Sequence, residues 1–338
     1  MKLHLDRDTF DVFLERIHER FSYRSDVLEK DYYVVLILEE LAKFQNENNL
    51  PAYFKGGTAL YKALKMTNRF SEDIDLSVDT RGMSRTQNDK KLSEATKKYT
   101  VLPRESGTTN RSEVITTYTY EPVTNYDIDD SLQRFGRVKI EATSFTIGEP
   151  VTSMKIAPLI YELATDEERK ILEEQYDTKP FEIKTITMER IFVDKLFAAE
   201  AYVRQSEMEH RAFEAAKHIY DLTVMENQPR IIALLKNADE LKKLLDIRLT
   251  EEKERLDGIA NVLPKEFTFF KKAAQDKNVC AAYEKMLCQY VLRDDDRIAL
   301  DTVNRCLVRI ENKLLQNPAW TNCKLPKIKR EKNKEQER

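Results

Sequence analysis

Apolar positions along this chain recur mostly at helical spacing. Residues 8–22 and 26–47 read as helices, the second carrying Tyr33, Leu36, Ile37, Leu41 and Phe44 on one stripe. Asn46 to Pro51 closes that helix. A short apolar strand, Ala52 to Phe54, runs into Lys55-Gly56-Gly57-Thr58 and an amphipathic helix from Ala59 to Lys65. A strand over Ile74 to Val78 follows, then a helix over Gln87 to Lys98. Two β-rich runs come next. Glu113 to Tyr120 is dense in Thr, Tyr, Val and Ile, and in Arg137 to Phe145 the residues Val138, Ile140 and Ala142 alternate with Lys139, Glu141 and Thr143. These are expected to be neighbouring antiparallel strands. From Met188 onward the pattern is almost wholly helical, over 188–204, 207–226, 228–246, 248–260, 266–291 and 295–316.

This order predicts an α/β (α+β) fold: a small mixed sheet flanked by helices, followed by a helical carboxy-terminal domain. Lys179-Pro180 interrupts the pattern, so the expected division is 1–183, 184–323 and a basic, disordered tail over 324–338. Composition agrees. With 41% hydrophobic residues in 338 the chain can bury a large core, and only 7 glycines and 10 prolines leave little turn chemistry for a many-stranded sandwich or barrel. A net charge of −3 argues against a globally basic nucleic-acid coat, so any polyanion site must be local. The most basic internal stretch is 81–111, with eight basic residues against three acidic ones. No apolar run is long enough to span a bilayer and the amino terminus lacks a signal-peptide core, so a cytoplasmic protein is expected. Cys280, Cys288, Cys306 and Cys323 match no zinc spacing and read as reduced, helix-borne thiols.

Two of the glycines, Gly56 and Gly57, are adjacent at a strand-to-helix junction, where backbone amides approach an anion closely and the helix dipole favours phosphate. Alone, such a pair is an ordinary tight turn. Asp73-Ile74-Asp75 changes the weighing, because positions i and i+2 of a strand share a face and their carboxylates converge. Two carboxylates beside a phosphate-binding turn offer Mg²⁺ hard oxygen ligands with positions left open. The alternative, a solvated strand face, has like charges repelling. Glu141, in mid-strand, is the candidate third ligand; otherwise it shares an outer face with Lys139 and Thr143. Lys55 precedes the glycine turn within reach of phosphate, and Arg69 and Ser71 sit at the mouth of the carboxylate strand, Arg69 being otherwise a plain surface cation. Lys195 shares a helix face with Ile191, Ala198 and Tyr202, where an ammonium needs an anionic partner: a triphosphate or a metal-site carboxylate. Asp194, one step round, is placed to pair with Arg190. Arg211, Glu214, His218 and Asp221 form one helical stripe, on which Glu214 can hold His218 toward the site; otherwise His218 is a surface histidine in a charge ladder.

Lys55-Gly56-Gly57-Thr58-Ala59-Leu60 and Arg69-Phe70-Ser71-Glu72-Asp73-Ile74-Asp75-Leu76 together resemble the first motif of the AbiEii/AbiGii-type toxins, a branch of the DNA polymerase β-like nucleotidyltransferase superfamily. Glu29-Lys30-Asp31-Tyr32 is similar to the segment that precedes it. Val193-Asp194-Lys195-Leu196 resembles the family's Asp-Lys helix motif, and Lys217-His218-Ile219-Tyr220-Asp221-Leu222 its final motif, with His218 where the family has its first Asp and Asp221 retained.

The resemblance implies a nucleotidyltransferase-type sheet and transfer of NMP from an NTP to an acceptor. Asp73, Asp75 and Glu141 would hold Mg²⁺ or Mn²⁺; Gly56, Gly57 and Thr58, with Lys55 and Lys195 and with Arg69 and Ser71 alongside, would bind the nucleotide. Asp73, Asp75, Lys195 and Asp221 are the expected catalytic residues. It further implies the toxin of a type IV toxin–antitoxin system linked to abortive phage infection, a cognate antitoxin partner, and tRNA as acceptor class. The basic 81–111 stretch favours an RNA acceptor over a small alcohol. The rivals are a catalytically idle nucleotide-sensing or partner-binding module on the same fold, and a small-molecule nucleotidyltransferase or kinase-like phosphotransferase.

Overall fold

The computed structural model describes residues 1–65, 69–110, 112–124, 135–253, 259 and 261–325. Helices α1 (Arg7–Phe21) and α2 (Ser25–Glu47) open the chain, and β1 (Ala52–Lys55) passes straight into α3 (Gly56–Lys62). Then come β2 (Ile74–Val78), α4 (Arg85–Lys97), β3 (Arg104–Asn110), β4 (Glu113–Thr119), β5 (Arg137–Thr143) and β6 (Val151–Ile156). After α5 (Leu159–Glu162), α6 (Asp166–Tyr176) and β7 (Phe181–Ile186) the chain is helical: α7 (Met188–Val203), α8 (Glu209–Met225), α9 (Pro229–Lys236), α10 (Ala238–Glu252), α11 (Phe269–Lys272), α12 (Lys277–Tyr290), α13 (Leu300–Leu315) and α14 (Pro318–Thr321).

The strands form one mixed sheet in the order β3-β4-β5-β2-β1-β7-β6, with β5 parallel to β2, β1 parallel to β7 and the other neighbours antiparallel. Its central strands alternate cleanly. Ile74, Leu76, Val138, Ile140 and Ala142 are fully buried on one face, against which α2, α3 and α4 pack. That burial fixes the register, since a slip of one residue would turn the apolar set outward. The opposite face carries Asp75, Lys139 and Glu141 toward α7 and α8, an antiparallel helical hairpin. One apolar cluster runs from Leu3 to Trp320 through sheet and helices alike.

The sheet is larger than the sequence pattern predicts. β3 (Arg104–Asn110) is exposed along its whole length, so it shows no apolar alternation; it exists because it pairs with β4. β6 and β7 (Val151–Ile156 and Phe181–Ile186) pair at the other edge, and β7 occupies the region expected to divide two domains. The α3 helix starts three residues earlier than expected, at Gly56. Two expected helices break where a side chain caps a new amino terminus: Asn237 accepts from the Glu240 N–H at the start of α10, and Asp276 from Asn278 and Val279 at the start of α12. The antiparallel pairing of β4 with β5 is as expected. The four cysteines are free. No described helix is long and apolar enough to cross a membrane. The expected tail lies outside the described residues beyond Leu325.

Candidate active site

The register of β2 on β5 sets Asp75 directly opposite Glu141, and that of β1 on β2 sets Lys55 opposite Asp75. A cleft of about 230 Å³ separates this row from α7 and α8, with Lys55, Gly56, Asp75 and Glu141 on one side and Arg190, Lys195, Tyr202 and His218 on the other. Burial raises the pKa of Asp75 to about 7, helped by the Glu141 charge and opposed by Lys55. Burial likewise raises Glu141, against the pull of Lys139 and Lys55. The Lys55 ammonium, 3.2 Å from the Thr143 hydroxyl, is lowered by burial. Two carboxylates are thus pressed together by strand pairing, with too little positive charge to satisfy both.

Asp73 lies one pleat away and faces an adjoining cavity with Lys139. The Lys139 ammonium is 2.9 Å from Asp73 and 3.9 Å from Glu141. Burial works to lower its pKa, but the Asp73 charge and hydrogen bond outweigh it and raise it.

The glycine pair has a steric purpose. Gly56 has φ +78°, and a Cβ there would lie 2.1 Å from Asp75 Oδ2. At Gly57 a Cβ would lie 2.8 Å from Ser71 Oγ and 2.9 Å from Arg69 Nη2. The turn is therefore bare so that the carboxylate strand can pass close beside it. Thr58 is fully buried; its hydroxyl donates to the Asp73 carbonyl and lies 2.9 Å from Ser71 Oγ. Its side chain holds the 71–73 segment in place and does not face the cleft.

Arg69 was expected at the mouth of the strand, and the structure corrects this. Its guanidinium is buried and forks onto Asp221, Nε at 3.1 Å and Nη2 at 2.8 Å. Lys195 supplies the third contact, 2.6 Å from the same carboxylate, so the anionic partner its position demands is Asp221. Burial works against the Asp221 charge, but Arg69 and Lys195 hold its pKa far below the usual range. Lys195 lines the cleft; Asp221, fully buried behind it, does not. Glu214 pairs with Lys217, not with His218. The His218 ring stacks on Tyr202, centroids 5.3 Å apart, and burial, reinforced by Lys195, lowers its pKa well below the usual value. Asp194 pairs with Arg190 at 3.0 Å, as its spacing suggested.

Of the expected nucleotide residues, Lys55, Gly56 and Lys195 line the cleft, whereas Gly57, Thr58, Arg69 and Ser71 stand behind it. Sequence reasoning missed Lys139 as the counter-ion of Asp73, although the alternation that singled out Glu141 put both on one face. It also missed the far wall. Arg190 binds both Glu251 oxygens at 2.6 Å, and Arg248 reaches Glu251 at 3.3 Å, tying α7 to α10 across a separation no motif marks. Glu29 and Asp31, noted upstream of the first motif, are structural: Glu29 accepts from the Val123 N–H, and Asp31 pairs with Lys62 at 2.8 Å.

Among the described residues no three carboxylate, imidazole or thiolate groups stand together as a finished metal cage. The donor chemistry nevertheless suits a hard divalent cation. Asp73, Asp75 and Glu141 are all oxygen donors, and an ammonium already stands between two of them where positive charge is wanted.

No curated protein is significantly similar to this chain. Among solved structures, the crystal structure of JHP933 from Helicobacter pylori is similar at 16% identity, over 87% of this chain and 95% of that one, with a TM-score of 0.43. The family model described as nucleotidyl transferase AbiEii toxin, type IV toxin–antitoxin system, matches residues 36–307, a span that takes in the carboxylate row, the glycine turn and the Lys195–Asp221 pair. The chain belongs to the AbiEii family of nucleotidyl transferase toxins, a membership that implies a cognate antitoxin.

Proposed function

We propose that this toxin acts in the cytoplasm by transferring the nucleotidyl group of an NTP to a hydroxyl of RNA, with tRNA the acceptor class, and that the damage serves defence against phage. The observation that carries this reading is the register pair Asp75–Glu141, two carboxylates held together beside Gly56 with the cations Lys55 and Lys195 around one cleft.

The residues around the cleft divide the work. Lys55 and Lys195 offer positive charge to the phosphates, in a recess where it is worth more than in water. Asp221 acts through Lys195, holding the ammonium at the cleft wall, and so positions it. Mg²⁺ or Mn²⁺ bound by Asp73, Asp75 and Glu141 would supply Lewis-acid charge to the phosphate oxygens. Thr58 and the glycine pair keep Asp73 and Asp75 at the turn.

The test is incubation with total RNA and each α-³²P-labelled NTP in turn. Label should enter RNA with release of pyrophosphate, and Asp75→Asn or Glu141→Gln should lower transfer by roughly 100-fold or more. Undiminished transfer in both variants would overturn the reading.

A further inference from the structure

Strand register lays out the charges of the candidate site as a grid. Asp75 stands between Glu141 on one neighbouring strand and Lys55 on the other, and one residue beyond the Ile74–Ile140 pair Asp73 comes level with Lys139. On its remaining side Lys139 pairs with Thr117, which carries no charge. Its ammonium reaches both flanking acids, 2.9 Å from Asp73 and 3.9 Å from Glu141. One flexible side chain therefore links two of the three carboxylates that the metal assignment requires.

Charge balance says what must happen when a divalent ion arrives. In their ionised forms Asp73, Asp75 and Glu141 carry three negative charges, of which Lys55 and Lys139 cancel two. A divalent ion added to that set leaves it with an excess positive charge, whereas one that replaces the Lys139 ammonium brings it to neutrality. Leaving costs the lysine little. The Lys139 and Asp73 side chains are 41% and 43% exposed, and an ion pair so open to water contributes little to stability. Lys139 also lines the cavity of about 630 Å³ beside the cleft, where its four-carbon stem has room to turn and its ammonium stays hydrated. Glu72, Asp73, Glu209 and Glu214 in that lining equal in number the lysines and arginine other than Lys139, so the displaced charge meets no net repulsion.

We propose that Lys139 is the resident counter-ion of the carboxylate row: a divalent metal takes its place on Asp73 and Glu141, and the ammonium swings into the larger cavity as the three acids close on the ion. The inference rests on the metal assignment within the nucleotidyl-transfer reading and adds a threshold to it. The lysine holds Asp73 off from the Asp75–Glu141 pair, which accounts for three oxygen donors on one face that do not yet form a cage. It also sets how much free metal is needed to dislodge it.

The experiment follows Mn²⁺ alone, by electron paramagnetic resonance of the free ion, on the full chain stripped with EDTA and dialysed, with no nucleotide present. Lys139→Met should bind Mn²⁺ roughly tenfold more tightly than the wild type, because it removes a competing unit charge. Lys139→Arg keeps that charge and should bind no more tightly than the wild type. Adding Asp75→Asn to Lys139→Met should abolish the gain, which locates it at this row. In EDTA the Lys139→Met chain should melt at a lower temperature than the wild type, and saturating Mn²⁺ should raise its midpoint by more. Lys139→Gln, neutral but polar, repeats the affinity measurement if Lys139→Met misfolds. Equal or weaker Mn²⁺ binding in the neutral variants would overturn the proposal, since the ammonium would then support the ion rather than compete with it. Failure of the wild type and of both neutral variants to bind Mn²⁺ would instead sink the metal assignment on which the nucleotidyl-transfer reading depends.

Discussion

Two acidic clusters lie on either side of the same cleft and have opposite electrostatics. Around Asp221 the carboxylate is fully enclosed, yet three contacts from Arg69 and Lys195 satisfy it and its pKa is depressed. Across the cleft, Asp75 and Glu141 are forced together by strand register with insufficient countercharge, and both pKa values are raised. A satisfied buried charge is a structural fastening. A frustrated pair is an invitation to a ligand, because the affinity that shows as a raised pKa is equally affinity for another cation.

The contrast is sharpest in stability. Asp221→Ala leaves two buried cations without a counter-ion and should destabilise the fold by about 3–5 kcal/mol, measured by urea unfolding. Asp75→Asn removes repulsion and should leave the unfolding midpoint unchanged or slightly higher. A comparable loss in both variants would erase the distinction.

The sign of the pH dependence separates the clusters next. An acid whose pKa is raised on folding keeps protons that the unfolded chain has released, so Asp75 reduces stability progressively as pH climbs from its ordinary 3.8 to about 7. Asp221 does the reverse: its stabilisation is present above 3.8 and is lost as pH falls through its depressed pKa. Unfolding in EDTA between about pH 4 and 7 should therefore show a decline that Asp75→Asn makes shallower. A decline of equal slope in the variant would assign it elsewhere.

The smallest effect expected is at the glycine turn. Gly56→Ala puts a methyl group 2.1 Å from the Asp75 carboxylate at φ +78° and should cost about 1–3 kcal/mol. Gly57→Ala, whose nearest contacts are 2.8 and 2.9 Å away, should cost less. Reversal of that order by thermal denaturation would show that the turn is not shaped around Asp75.

How much of this was legible depended on range. Strand alternation put Asp75 and Glu141 on the polar faces of their strands, and the pairing of β2 with β5 brought them together. The glycine turn was visible as a motif, but its steric reason was not, because that reason is a side chain nearly twenty residues away. Arg69 was misplaced for the same cause: its partner Asp221 lies on α8, and position along the strand says nothing of it. β3 was unreadable because all its residues are exposed and only pairing defines it. The Arg190–Glu251–Arg248 wall carried no local pattern at all.

The segment that leads into the carboxylate strand is also fastened to the end of α12. The Phe70 N–H donates to the Tyr290 carbonyl at 2.7 Å, and Arg69 bridges to Val291. A chain that ends before Tyr290 supplies neither anchor. Chains that stop short of Val291 are therefore expected to hold the strand that carries Asp75 less firmly, which label transfer by chains ending on either side of Val291 would reveal as a gain once both anchors are present.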